Sequence, residues 1–115
     1  MRDSFDDYQV DVWKLDIYPI PHRFISHVFG LANEAGEVAG KLKKLYRDAA
    51  FTGDASSLTD GQRSAFVAEL GDVLWYTAAI ANDLDIDLSY VATQNIEKLR
   101  SRQERGVLRG SGDNR

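Results

Sequence analysis

Leu31-Ala32-Asn33-Glu34-Ala35-Gly36-Glu37-Val38-Ala39-Gly40-Lys41-Leu42-Lys43-Lys44 has the rhythm of a helix with one buried face. Leu31, Ala35, Val38, Leu42 and Leu45 recur at the three-and-four spacing that stacks side chains along one stripe. Glu34 and Glu37 are three positions apart, so they leave the helix on neighbouring lines and point the same way. Glu34 falls between Leu31 and Val38, on or beside the apolar stripe. A carboxylate there is costly to bury without a positive partner, and two side by side repel each other. The segment therefore calls for a cation.

A second segment, Phe66-Val67-Ala68-Glu69-Leu70-Gly71-Asp72-Val73-Leu74-Trp75-Tyr76, repeats the design. Val67, Leu70, Leu74, Thr77 and Ala81 give one helical face, and Glu69 and Asp72 again stand three apart among apolar positions. Two such helices packed antiparallel bring four carboxylates together. The chain has no cysteine and no paired histidine near these acids. Donors that are all oxygen suit hard ions such as magnesium or manganese. Glu34, Glu37, Glu69 and Asp72 are thus the candidate metal ligands and catalytic residues.

The whole chain sets the bounds. Its 115 residues suffice for one domain with a core, expected over 1–106, with 107–115 as a flexible tail. With 43% hydrophobic and 28% charged residues, the composition is that of a globular protein. The absence of cysteine excludes disulfides and thiolate metal sites. A net charge of -4 argues against a surface built to grip a nucleic acid polymer. No apolar run reaches the roughly 20 residues of a membrane span, and the acidic start is unlike a signal peptide. The expected setting is the cytoplasm.

Elsewhere the pattern predicts two more helices and sets the bounds of the two already described. Ser4 is a candidate N-cap, with Asp6 and Asp7 in the first turn of a short helix carrying Phe5, Tyr8, Val12 and Leu15 on one face. Trp13 is expected in the core, and Pro19-Ile20-Pro21 ends the segment. The long helix is expected from Arg23 to Arg47. Within it, Gly36 and Gly40 suggest a closely approaching neighbour, while His27 stands on the site side yet reads more simply as a structural residue. Lys41 and Lys44 continue the line of the carboxylates, as a polyphosphate would need, whereas Lys43 complements the helix dipole. Residues 48–61 read as a loop, and Thr59 with Gln62 as a capping box for a helix running to about Leu84. Tyr76, one turn beyond Asp72, is placed to stack on a base. Asp87 or Ser89 caps a last helix to Glu104, where Asn95, Lys98 and Arg102 form a polar-to-basic ribbon suited to an anion, and Gly106 closes it.

Gly30-Leu31-x-x-Glu34-x-Gly36-Glu37-Val38, then Glu69-x-x-Asp72-Val73, then Asn95-x-x-Lys98-Leu99-x-x-Arg102 resembles the MazG-type nucleoside triphosphate pyrophosphohydrolases, within the all-α NTP pyrophosphatase superfamily. The resemblance covers about 23–106, and the loop between the acidic pairs lies toward the long side for such proteins. It implies an all-α, four-helix-bundle-like fold assembled as a homodimer or dimer of dimers. It also implies a magnesium-dependent site that cleaves a nucleoside triphosphate between the α and β phosphates. By position, Glu34, Glu37, Glu69 and Asp72 would hold the metal, and Asn95, Lys98 and Arg102 would contact substrate, with Lys41, Lys44 and Tyr76 as further candidates. No glycine-rich phosphate loop and no Ser/His or Cys/His set suggests a covalent route. Two other readings are a helical nucleotide-binding or regulatory module without turnover, and a carboxylate di-iron bundle. The latter normally shows Glu-x-x-His, which neither acidic pair offers.

Overall fold

The computed structural model describes residues 4–48, 51–107, 109, 110 and 112. It is all-helical: α1 spans Phe5–Leu15, α2 Arg23–Asp48, α3 Asp60–Asp83 and α4 Leu88–Glu104, with single 3-10 turns at Ile20–His22 and Ala55–Ser57. The expected mobile stretch 107–115 lies largely outside the described residues.

Each helix start has a local cause. The Ser4 hydroxyl accepts from the Asp7 amide at 3.1 Å, and Pro19 and Pro21 close off the chain before α2. At α3 the capping box is complete: the Gln62 amide donates to Thr59 Oγ1 at 3.1 Å, and the Thr59 amide donates to Gln62 Oε1 at 2.9 Å. At α4 the expectation needs correction. Asp87 occupies the N-cap position but its side chain makes no capping bond. Asp6 of α1 takes the role instead, accepting from the Ser89 amide at 3.0 Å and the Ser89 hydroxyl at 2.7 Å. Beside it, buried Gln9 accepts from the Leu88 amide at 2.7 Å and donates to the Ile86 carbonyl at 2.8 Å. The first helix thus satisfies backbone groups at the start of the last one.

α2 and α3 form the principal pair, and α1 packs on α3 and α4. The core sits between α1, α3 and the start of α4: Val12, Ala78, Ala79 and Leu88 are buried, with Tyr8, Leu74 and Trp75 packed against them. Trp13, expected in this core, is 62% exposed. Val12 takes the inward position, which turns its sequence neighbour Trp13 outward, along a cavity of about 300 Å³ with Asp6, Gln9, Val10, Asn82 and the 85–87 turn. The only fully buried residue of α2 is His27. Along the predicted stripe of α2, Leu31, Val38 and Leu45 are half-buried while Leu42 remains exposed, and on α3 Val67 and Leu70 are exposed too. Much of the apolar surface of the α2–α3 pair is therefore uncovered within one chain. Close approach at Gly36 and Gly40 is also not what the structure has, since nothing stands within 4 Å of a Cβ built at either.

Candidate active site

The α2–α3 pairing places Glu34, Glu69 and Asp72 so that one carboxylate oxygen from each lies within 4.8 Å of the others. Glu34 and Glu69 are half-buried and Asp72 is exposed. Spacing along each helix turns the acids toward the partner helix, and pairing of the helices closes the group. Burial, followed by the negative charges of Asp72, Glu69 and Glu37, holds the Glu34 carboxyl above its ordinary range, and a hydrogen bond with Glu69 adds to the effect. Three crowded acids, one of them reluctant to ionise, are the electrostatic signature of a place that wants a cation. The donors are all oxygen and the residues fit a hard divalent ion. Glu37 is exposed and stands outside the group of three, near enough to act on Glu34.

The cations expected from the sequence are distributed unevenly. Lys41 Nζ lies 3.5 Å from Glu69 Oε1. Lys41 and exposed Lys44 line a groove with Leu45, Asp48, Gln62, Ala65 and Phe66. Asn95 and Lys98 are exposed on α4, and Arg102 is buried with Nη2 3.4 Å from the Gly112 carbonyl. None of these three lines the cavity that holds Glu34 and Asp72.

That cavity has a volume of about 340 Å³ and is walled by Leu15, Ile17, Tyr18, Trp75 and Tyr76 beside the two acids. The hydroxyls of Tyr18 and Tyr76 share a hydrogen bond of 2.6 Å. The Tyr76 phenol is pushed up to about 12, first by this bond, then by burial and by the negative surroundings that include Glu34 and Asp72. Tyr76 stacks edge-on to Trp75 with ring centroids 5.2 Å apart. It also stands directly against Gly30: a Cβ at that position would fall 2.6 Å from Tyr76 Cδ1 and nearer still to Cε1 and Cζ. The phenol of Tyr8 on α1 is raised by burial and by the negative charge of Asp72.

Sequence reasoning pointed to Tyr76 and missed Tyr18, Leu15 and Ile17. They belong to the end of α1 and the linker after it, and no periodicity marks a linker as part of a site. The one available signal was the retention of apolar Ile17 and Tyr18 in a short segment just ahead of Pro19.

An all-helical fold whose two longest helices present clustered carboxylates next to an aromatic cavity has oxygen donors for a hard cation and room beside them for a small ligand. Residues 24–107 match the MazG nucleotide pyrophosphohydrolase domain, and the chain belongs to that family, whose members depend on divalent metal. It is similar to the Gene 37 protein of Mycobacterium phage L5, with 45% identity over 116 residues that cover 96% of this chain and 97% of that protein. No solved structure matches it. Among the described residues, no helix is long and apolar enough to cross a membrane.

Proposed function

We propose that this protein hydrolyses a (deoxy)nucleoside triphosphate between the α and β phosphates, releasing the monophosphate and pyrophosphate, in a magnesium- or manganese-dependent reaction. The convergence of Glu34, Glu69 and Asp72 within 4.8 Å, in a chain of this family, carries the reading. These three, with Glu37 at the rim, would hold the ion, which supplies charge neutralisation on phosphate oxygens and acidifies a bound water. The chain's own groups do the rest. Tyr76, Trp75 and Tyr18 supply aromatic faces for a base beside the acids. Lys41, poised on Glu69, and Lys44 beyond it offer countercharge to the polyphosphate; Lys98 and Arg102 of α4 are two further cations, with Asn95 as an uncharged amide donor, and would meet substrate outside the cavity of Glu34 and Asp72. In the hydrolytic step the water oxygen bonds to the α phosphorus and the bond to the bridging oxygen breaks. Exposed Glu37, or Glu34, accepts the water's proton, and pyrophosphate leaves with the electron pair.

A homo-oligomer, a dimer or dimer of dimers, is part of this reading. Phe24, Ile25, Val28 and Phe29 at the start of α2 are exposed, as are Val67 and Leu70 on α3. A radius of gyration of 17.0 Å exceeds the roughly 13 Å of a compact chain this long. Light scattering on the 12.9 kDa chain that finds only monomer at micromolar concentration would sink this part.

Incubation with magnesium and each nucleoside triphosphate, followed by chromatography for monophosphate and pyrophosphate, tests the reaction. Monophosphate that persists in Glu69→Ala or Asp72→Ala removes the assigned site. Tight nucleotide binding with no product on long incubation replaces the enzyme with a binding module.

A further inference from the structure

His27 touches two elements at once. Its Nδ1 hydrogen-bonds Asp83 Oδ2 near the end of α3 at 2.5 Å, while Nε2 lies 2.9 Å from Asp16 Oδ2, in the linker after α1, off the line of a good hydrogen bond. The ring has no exposed surface and the Asp16 side chain is 3% exposed, and the same Asp16 oxygen also lies 3.7 Å from Arg23 Nε. The two ring nitrogens thus face carboxylates from two different segments of the chain. Buried charges persist only when paired, and losing one member of such a set is what costs most.

The clasp has a visible beneficiary. Asp16 Oδ1 accepts from the Tyr18 amide at 3.1 Å, and the Arg23 guanidinium donates to the Tyr18 carbonyl at 2.9 and 2.6 Å. The Tyr18 ring meets the His27 ring edge-on at 5.2 Å, and its hydroxyl reaches Tyr76. The linker is thereby tied to α2, and Tyr18 becomes a wall of the cavity that also holds Glu34 and Asp72.

We propose that His27 is a positioning residue: by joining Asp16 to Asp83 it holds the α1–α2 linker in place, so that Tyr18 forms the wall against which the nucleoside part of the substrate binds. The substrate half of this inference rests on the function proposed above; the clasp itself does not. Its loss should weaken substrate binding and leave the carboxylates and their chemistry intact.

The test compares wild type with His27→Leu and with Asp16→Asn, which keeps the shape of the linker residue and removes its charge. Circular dichroism checks that each variant is folded, and Asp16→Asn alone decides if His27→Leu is not. Amide hydrogen exchange in 17–23 should speed by about tenfold or more relative to the middle of α3. With magnesium and the best nucleoside triphosphate, KM should rise about tenfold while kcat stays within about twofold. Manganese affinity, read by electron paramagnetic resonance, should not move. Unchanged exchange in 17–23 overturns the clasp. A fall in kcat at constant KM, or a parallel loss of manganese affinity, overturns the positioning role. If wild type turns over no nucleotide, the functional reading falls, and the exchange data still decide the clasp.

Discussion

Gly30→Ala is the substitution whose outcome is hardest to foresee without the structure. In the middle of a helix such a change ordinarily helps, by about 1 kcal/mol, because alanine loses less backbone freedom on folding. Here the new methyl would stand 2.6 Å from Tyr76 Cδ1, with Cε1 and Cζ closer, against an ordinary carbon separation of about 3.5–4.0 Å. The ring must retreat by about 1 Å or more, and overpacking of this kind costs about 1–3 kcal/mol. The net effect is a loss of up to about 2 kcal/mol, or a Tm lower by several degrees. The retreating ring also pulls its hydroxyl away from Tyr18, so KM for nucleotide should rise with it. Gly36→Ala, where a Cβ meets nothing within 4 Å, supplies the control and should gain up to about 1 kcal/mol. The decisive assay is a thermal double-mutant cycle with Tyr76→Ala. Once the ring is gone, Gly30→Ala should turn from harmful to helpful, with a coupling of about 1–3 kcal/mol. A coupling under about 0.5 kcal/mol would show that the ring does not rest on Gly30.

Gln9→Ala should cost about 2–4 kcal/mol in a denaturant titration, because it leaves the buried Leu88 amide and the Ile86 carbonyl without their partner. Asp6→Ala should cost about 1 kcal/mol by removing the cap of α4, and Ser89→Ala should recover little of it in combination. The raised Glu34 carboxyl has a signed consequence for metal-free protein. The folded chain keeps that proton to higher pH than the unfolded chain does. Stability from this group is therefore full below the ordinary carboxylate range and is lost as pH rises through the raised value. Melting curves of metal-free wild type should accordingly fall between mildly acid and neutral pH, while those of Glu34→Gln should fall less; equal slopes would remove the crowding argument. Manganese at a hundredfold over its Kd should add about 2.7 kcal/mol to wild-type stability and almost nothing to Glu69→Ala.

The parts of this molecule that were legible from its residues are those set by local rules. Arg23 as the start of the long helix follows from Pro21 just before it, and Thr59 with Gln62 marks the start of α3 because a capping box needs only four consecutive residues. Glu34, Glu69 and Asp72 could be paired in advance since three-residue spacing beside an apolar stripe turns an acid toward the neighbouring helix. Contacts between distant segments were hidden. A glycine needed for an aromatic neighbour looks like any other glycine, so Gly36 and Gly40 drew the expectation that Gly30 fulfils. Trp13 was assigned to the core on size alone, whereas a three-turn helix has room to bury few side chains and Val12 and Gln9 took the places. Asp87 had the right chemistry for a cap, yet Asp6 arrived from across the molecule with better geometry. His27 was read mainly as structural, and its two carboxylates come from segments that nothing in the spacing connects to it.

The hydrogen bonds that Asp6 and Gln9 make to Ile86, Leu88 and Ser89 span 77, 79 and 83 residues of chain. A segment made early in synthesis therefore has to wait for one made late before its polar groups find their mates. Until α4 has been made, Asp6 and Gln9 lack these partners, although α1 already has α3 to pack on. Closing so long a loop is a slow, entropically costly event. The final seating of α1 is thus tied to the arrival of residues 86–89, not to its own emergence.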